Sequence, residues 1–333
     1  MFEKPIVASR RISRRGMLAA TAAVAVTPAA AQECRLGPPS HHQGQPVFLN
    51  YDQLELDASY DQAYYEPLIG QVSKRLASNS EAVRARLGAP QRMAYGPSEI
   101  EKLDIYRTKA ANAPVFVMIH GGSWQTGVAK DYGFAAETFV NAGAHFVALD
   151  FVDIKTANGD LGVMAGQVRR AIAWVCKNVA SFGGDPARVY IGGHSSGGHL
   201  CGVALVTNWP EFGLPETAVK GGLCMSGMYE MEPVRISWRR EFVHFTDQMA
   251  DAMSAQRHID KLHAPITVTY GTFETPDFQR QSRDFAAAVK AAGKPVELIE
   301  VPNYAHLEMA ESLGNPYGPN GRAALALMRL GLG

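Results

Sequence analysis

A glycine-rich turn that carries one serine constrains this chain more than any other stretch. The sequence around Ser195 is Gly-Gly-His-Ser-Ser-Gly-Gly, which contains a G-x-S-x-G pattern. The strand-like run Ala187–Ile191 precedes the turn, and the apolar, helix-compatible run Leu200–Thr207 follows it. A serine between a strand and a helix lies on a strained turn that exposes its hydroxyl above the sheet. We therefore predict Ser195 as a nucleophile, with Gly193 and Gly197 at positions where a Cβ would collide as the chain doubles back.

A second pair of glycines follows another apolar run. Pro114–Ile119 predicts a buried strand, and Gly121 and Gly122 come almost directly after it. Acyl transfer needs backbone N–H groups aimed at the oxygen that becomes negative, and a glycine loop lets the main chain approach that oxygen closely. We predict that the N–H groups of Gly121, Gly122 and Ser196 are the oxyanion donors.

Strand-like and helix-like segments alternate from residue 91 onward. This alternation indicates the α/β class, with a mostly parallel central sheet covered by helices on both faces. In such sheets the reacting groups collect at the carboxyl ends of the strands. The predicted strands are 92–95, 102–107, 114–119, 145–150, 187–191, 220–225, 265–270 and 296–300, and the main predicted helices are 67–87, 132–142, 161–182, 276–292 and 320–330.

The remaining catalytic groups are expected after later strands. His306 follows the last predicted strand and is the only one of the ten histidines in that position. The loop after the preceding strand offers two acids, Glu274 and Asp277. Pro276 suits the first turn of a helix, so Asp277 is expected to complement the helix N-terminus, and Glu274 is the preferred partner for the histidine.

Aromatic and histidine side chains near these loops are assigned from their neighbours in the sequence. Trp124, Tyr229 and Tyr304 are close to the predicted site loops and are expected to form an aromatic wall of the substrate pocket. Core packing is the alternative for Tyr229. His194 and His199 flank the serine turn and are expected to have structural roles, because neighbours on such a turn point away from the serine hydroxyl.

The chain divides into three predicted regions. Residues 1–31 have a basic head with the Ser-Arg-Arg-Gly-Met-Leu stretch 13–18, a short apolar run and small residues, which is typical of a twin-arginine export signal. The apolar run is too short for a stable membrane anchor, which takes about 20 residues. Residues 32–90 are predicted as an arm and a helix that pack on the core, and 91–333 as the catalytic domain. The short insert 226–258 indicates a small cap.

The charge of the exported part excludes some partners. The whole chain has 32 basic and 32 acidic residues. The predicted signal contains five basic residues and one acidic residue, so the remainder carries a net charge of −4. This charge argues against nucleic acid or an anionic membrane as the partner. The four cysteines show no paired metal-ligand spacing, and no metal is predicted.

The chain resembles the α/β-hydrolase superfamily, and within it the arylformamidase (kynurenine formamidase) and hormone-sensitive-lipase-like esterase branch. The resemblance implies an α/β-hydrolase fold and a metal-free serine hydrolase without a cofactor, with Ser195 as nucleophile, His306 as base and Glu274 as acid. Arylformamidases usually have aspartate at this acid position, so the chain departs by one methylene. The stretches that carry the resemblance are 54–60, 120–125, 182–186, 193–200 and 274–282.

These features predict an exported, periplasmic or secreted serine hydrolase that cleaves a small carboxylic ester or amide through an acyl-enzyme on Ser195. One alternative is an arylformamidase that acts on anilides like N-formylkynurenine. Others are a lactone, carbamate or polyester hydrolase on the same site. A non-catalytic binding protein is the least favoured alternative, because every catalytic position holds a competent residue.

Overall fold

The computed structural model describes residues 44–331. The predicted export signal, residues 1–31, and the first part of the predicted arm, residues 32–43, lie outside the described residues. Within the described range, no helix is both long enough and apolar enough to cross a membrane.

Eight strands of the described range form one sheet. They are β1 (Gln91–Ala94), β2 (Lys102–Tyr106), β3 (Ala113–Ile119), β4 (His145–Leu149), β5 (Gly184–His194), β6 (Gly222–Met225), β7 (Ile266–Gly271) and β8 (Val296–Val301). Their order across the sheet is β1-β2-β4-β3-β5-β6-β7-β8. The β1–β2 and β2–β4 pairs are antiparallel, and the other neighbouring pairs are parallel. The predicted α/β class with a mostly parallel sheet is confirmed.

Helices connect the strands and cover both faces of the sheet. They are α1 (Gln53–Ser59), α2 (Ile69–Leu87), α3 (Ala136–Asn141), α4 (Leu161–Asn178), α5 (Ser196–Leu205), α6 (Glu232–Ile236), α7 (Asp247–Ala252), α8 (Pro276–Ala291), α9 (His306–Glu311) and α10 (Pro319–Leu327). Two predicted helices are partly 3-10 helices in the structure, and the predicted helix 320–330 ends at Leu327. The predicted helix 132–142 begins as the 3-10 helix Ala129–Ala135, and the predicted helix 161–182 continues beyond Asn178 as another 3-10 helix.

Strand β3 shows why the strand segments of this sequence are continuously apolar and do not alternate between apolar and polar residues. All seven of its residues are buried. Val115 and Val117 belong to the apolar core on one face of the sheet, whereas Phe116 and Met118 belong to the core on the other face. Successive side chains of a strand point to opposite faces, so a strand covered on both sides needs an unbroken apolar run. Helices therefore pack on both faces of β3, and its polar loop is left at the carboxyl end.

The segments before β1 pack over this carboxyl edge and its flank. Helix α2 contacts the 3-10 helix Ala129–Ala135 and helix α9, and α1 contacts α8. Leu76 and Val83 on α2 join the core that also contains Phe116. The loops after β3, β5, β7 and β8 thus face segments that are not part of the strand repeat.

Candidate active site

The serine turn has the strained geometry that the sequence predicts. Ser195 lies between β5 and α5 with φ 58° and ψ −124°. A non-glycine residue in such a region costs about 1–3 kcal/mol, which the surrounding structure must supply. A Cβ on Gly193 would lie 2.0 Å from the Gly197 carbonyl oxygen, and a Cβ on Gly197 would lie 2.2 Å from the Ile119 oxygen. Both positions therefore require glycine.

The structure brings Ser195, His306 and Glu274 together in one hydrogen-bonded chain. The Nε2 atom of His306 lies 2.8 Å from the Ser195 Oγ, and its Nδ1 lies 3.1 Å from a Glu274 carboxylate oxygen. The three side chains come from loops after β5, β8 and β7, and all are buried. This arrangement has a nucleophile, a base and a group that orients the base.

Glu274, and not Asp277, is the acid that contacts the histidine. The second Glu274 oxygen accepts hydrogen bonds from the Ser226 hydroxyl at 2.6 Å and from the Gly271 N–H at 2.7 Å. Asp277 lies on the first turn of α8, where it pairs with Arg280 at 2.7 Å and accepts a short hydrogen bond from the Tyr60 hydroxyl. The longer glutamate side chain therefore reaches the imidazole from the loop itself.

Burial sets the electrostatics of the two titratable groups. Burial lowers the pKa of His306, and the positive charge of Arg239 lowers the same pKa further. The imidazole is therefore neutral at neutral pH, so Nε2 can accept a proton from Ser195. Burial raises the pKa of Glu274 to about 7, although its hydrogen bonds from Ser226 and Gly271 oppose the rise.

The predicted oxyanion donors differ in their availability. Gly121 lies directly against the serine, because a Cβ placed on it would be 3.1 Å from the Ser195 Cβ. Its N–H donates to the Tyr132 hydroxyl at 3.1 Å, so it is engaged in this structure, and its role as an oxyanion donor stays a prediction. Among residues 44–331 the N–H groups of Gly122 and Ser196 have no hydrogen-bond acceptor. Those two donors remain available to a substrate oxygen.

The three aromatic residues expected to form the pocket wall do not line the cavity beside Ser195. Trp124 is buried, and its indole N–H donates to His199 Nδ1 at 3.2 Å. Tyr229 is fully buried and stacks on Phe285 with ring centroids 4.3 Å apart. The Tyr304 carbonyl accepts a hydrogen bond from the Phe273 N–H. Position in the sequence beside a site loop therefore did not predict which aromatic side chains line the cavity.

A cavity of about 660 Å³ opens beside the serine. The loops that carry Ser195 and His306 form one wall. A second wall, named the facing wall, is made of residues that the sequence reasoning missed, and it comes from the segments before β1 and from the insert after β6. These missed residues include Tyr60, Gln62, Ile69, Leu76, Trp238 and Arg239.

The two histidines beside Ser195 bind backbone carbonyls. The Nε2 atom of His194 lies 2.8 Å from the carbonyl oxygen of His306, and that of His199 lies 3.0 Å from the Met253 oxygen. Burial lowers the pKa of His194 to about 3 and that of His199 to about 4, so both rings are neutral. His194 therefore fixes the backbone at the residue that carries the base, and His199 anchors the insert.

Comparison with known proteins places the chain in a family. Residues 103–216, which run from β2 beyond Ser195, match the BD-FAE family model. The kynurenine formamidase of Salmo salar is 30% identical over 277 residues, covering 80% of this chain and 92% of the relative. The kynurenine formamidase of Danio rerio is 28% identical over 272 residues, covering 78% and 90%. The chain belongs to the kynurenine formamidase family.

The solved structures agree with this placement at the level of the fold. A proposed thioesterase from Silicibacter sp. TM1040 superposes with a TM-score of 0.71 at 21% identity, covering 83% of this chain and 99% of that protein. The α/β-hydrolase fold expected from the resemblance is confirmed. This member of the kynurenine formamidase family is an enzyme of the formamidase and esterase type, and its relatives are hydrolases of esters or amides.

Proposed function

We propose that this chain is a serine hydrolase that cleaves a small carboxylic ester or amide through an acyl-enzyme on Ser195. The observation that carries the proposal is the hydrogen-bonded chain from Ser195 Oγ through His306 to Glu274, with distances of 2.8 Å and 3.1 Å. The strained backbone at Ser195 supports it, because such strain concentrates at sites where an atom must be held in place.

The proposed first half-reaction transfers the acyl group to the serine. His306 Nε2 takes the Ser195 hydroxyl proton as Oγ attacks the substrate carbonyl carbon. Glu274 holds the Nδ1 proton and stabilises the imidazolium that forms. The N–H groups of Gly122 and Ser196 donate to the oxygen that becomes negative. The tetrahedral intermediate collapses as His306 gives its proton to the leaving alcohol or amine.

The second half-reaction releases the acid. A water molecule gives a proton to His306 and attacks the acyl carbon, and the Ser195 oxygen leaves with the proton that His306 returns. Apart from this water molecule, each proposed step uses only side chains and backbone N–H groups of the chain.

Formamide cleavage is the second candidate. The relatives from Salmo salar and Danio rerio are named kynurenine formamidases, and the chain covers 92% and 90% of their lengths. The same site can act on either class of substrate, because an ester and a formamide pass through similar tetrahedral intermediates. Lactones, carbamates and polyesters present the same carbonyl chemistry and belong in the same substrate panel.

Export by the twin-arginine route is part of the proposal. It is supported by the stretch 13–18, which contains Arg14 and Arg15, and by the apolar run that follows. Replacing both arginines by lysine should retain the protein in the cytoplasm of a bacterial host, whereas the unchanged chain should reach the periplasm. Equal periplasmic amounts of the two proteins would contradict this part.

The test compares hydrolysis of p-nitrophenyl acetate, p-nitrophenyl butyrate and N-formylkynurenine by the protein and by Ser195→Ala. Fast turnover of the formamide indicates that the activity of the named relatives is retained. Turnover of the esters alone indicates a carboxylesterase with the same fold and the same catalytic residues. Substantial hydrolysis by a folded Ser195→Ala protein would contradict the acyl-enzyme mechanism itself.

A further inference from the structure

A buried arginine forms part of the cavity wall that faces the serine. Arg239 lies on the 3-10 helix Trp238–Glu241, and only 2% of it is exposed. It lines the same cavity as Ser195 and His306. The arginine and the reacting groups therefore contact one enclosed volume.

The Arg239 guanidinium has no carboxylate partner. Among the described residues, no acid oxygen lies within 4.0 Å of it. Its Nη2 donates to the Tyr60 carbonyl oxygen at 3.2 Å, but Nε and Nη1 have no acceptor. Asp61 acts on it only from a greater distance, raising its pKa, while burial lowers that pKa to about 10. Arg239 is thus charged at neutral pH.

Aromatic rings surround the guanidinium without satisfying its N–H groups. The centroids of Trp124, Tyr60 and Trp238 lie 5.1, 5.8 and 5.8 Å from its central carbon. Such contacts stabilise a cation through the ring faces, but they supply no acceptor in the plane of the guanidinium. Burying a charge without hydrogen-bond acceptors raises the free energy of the folded protein. A ligand that supplies an acceptor here would lower that free energy.

Two further unpaired polar groups line the same wall. Both amide atoms of Gln62 are buried and lack a hydrogen-bond partner. The Trp238 indole N–H also lacks one. Gln62 and Trp238 border the cavity together with Arg239, so three side chains of the cavity lining have unpaired donors. An anionic ligand group bound at this wall would supply the acceptor that such a donor lacks.

We propose that Arg239, with Gln62 and Trp238, binds a carboxylate of the substrate, so that the preferred substrates are anionic esters or amides. Guanidinium and carboxylate groups match in a bidentate geometry, and burial strengthens such charge-assisted hydrogen bonds. The carboxylate belongs to the acyl part or to the leaving group. The proposal rests on the proposed hydrolysis at Ser195, because it assigns the substrate of that same cavity.

The test uses two matched pairs of substrates and the full chain. The first pair places the charge on the acyl side and compares the mono-p-nitrophenyl ester of glutaric acid with p-nitrophenyl pentanoate. The second pair places it on the leaving group and compares para-acetoxybenzoate with its methyl ester. The measured quantity is the ratio of kcat/KM for the anionic member to that for the neutral member of each pair.

The expected result is a preference for the anionic member in at least one pair. Arg239→Met should reduce this ratio by about 10- to 100-fold, the range expected for a lost hydrogen bond to a charged group. Arg239→Lys retains the positive charge but lacks the planar guanidinium that binds a carboxylate through two N–H groups. This variant should keep part of the preference for the anionic substrate. Arg240→Met is the matched control, because Arg240 is exposed on the same 3-10 helix and does not line the cavity. Its ratio should equal that of the unchanged chain.

Three outcomes would overturn the proposal. The unchanged protein prefers the neutral member of both pairs, or folded Arg239→Met keeps the original ratio, or Arg239→Met lowers both members equally, as a purely structural role requires. If Arg239→Met does not fold, the proposal is tested by comparing the kcat/KM ratio of the unchanged protein with that of Arg239→Lys. An Arg239→Lys ratio equal to that of the unchanged protein would then overturn it. Failure of the proposed function is a separate result, because p-nitrophenyl acetate would then be untouched, or would be cleaved equally by Ser195→Ala.

Discussion

The two walls of the cavity are built in different ways. The wall that carries the nucleophile and the base consists of loops at the carboxyl ends of strands, and two of its cavity-lining residues, Ser123 and Ser195, have a positive φ although neither is glycine. The facing wall, formed by residues 60–77 and 238–239, has no positive φ, and it contains a regular helix and 3-10 turns. Strain is concentrated on the wall where atoms must be fixed to react.

The two walls also differ in whether their polar side chains have hydrogen-bond partners. On the reaction wall His306 and Glu274 are hydrogen-bonded to one another and to neighbouring groups. On the facing wall the Arg239 and Gln62 side chains retain unpaired atoms. The catalytic side chains are therefore hydrogen-bonded to one another before substrate arrives, whereas the backbone N–H groups of Gly122 and Ser196 and the unpaired side-chain atoms of Arg239 and Gln62 have no partner among the described residues. The predictions below test this division, beginning with the largest expected effect.

Replacing the acid of the reaction wall should have the largest effect. Glu274→Gln should lower kcat by about 10⁴-fold, since loss of the orienting carboxylate favours the wrong imidazole tautomer. Asp277→Asn is the matched control: Asp277 pairs with Arg280 and Tyr60, so its loss should lower the stability and leave kcat within several-fold. Steady-state kinetics with p-nitrophenyl acetate, together with thermal unfolding, measures both. A reversed pattern would assign the acid to Asp277.

A methyl group on the oxyanion loop should have an intermediate effect. Gly122 has φ +120°, and a Cβ there would lie 2.2 Å from the Thr126 carbonyl oxygen, so Gly122→Ala must displace the loop. Loss of one oxyanion donor should lower kcat by about 10²–10³-fold.

Gly70→Ala is the matched control for that change on the facing wall. Gly70 lines the cavity within α2 and has open space for a Cβ. Because alanine favours the helix by about 1 kcal/mol over glycine, this variant should be slightly more stable. Its kcat for p-nitrophenyl acetate should change little. Equal losses of kcat in the two variants would contradict the division between the walls.

The smallest expected effect is on the pH dependence of kcat/KM. It involves both walls, because the Arg239 charge on one wall acts on His306 on the other. Burial and the Arg239 charge lower the pKa of His306, so the base stays neutral as the pH falls. The acidic limb of kcat/KM should therefore lie below the ordinary imidazole pKa of about 6.5. Arg239→Met removes a positive charge and should move this limb to higher pH. A limb at or above the ordinary value would contradict this prediction and would indicate that Glu274, whose pKa burial raises to about 7, takes up the first proton.

The reaction wall was largely predictable from the sequence. The nucleophile turn requires glycine at positions 193 and 197 for steric reasons. This requirement is visible in the sequence as the G-x-S-x-G pattern around Ser195. The histidine and the acid follow strands whose order along the chain is fixed by the fold. Glu274 was separable from Asp277 because Pro276 begins a helix, and the structure places that helix at Pro276.

Neither the facing wall nor the burial of Trp124 and Tyr229 was predictable, because nothing local in the sequence determines them. Trp124 and Tyr229 lie next to site loops in the sequence but are drawn into the core, where their large rings are buried and their neighbours are supplied by distant segments. Tyr60 and Arg239 are 179 residues apart and meet only in the folded chain. The engagement of the Gly121 N–H by Tyr132 likewise depends on how the 3-10 helix after β3 packs.

Covalent labelling tests the central claim most directly. The protein is treated with a fluorophosphonate, and intact mass and peptide mapping locate the adduct. The account predicts one phosphonyl group on Ser195, with parallel loss of hydrolysis, and no adduct on Ser195→Ala. An adduct on another residue, or hydrolysis that survives complete labelling of Ser195, would contradict the assignment of Ser195 as the nucleophile.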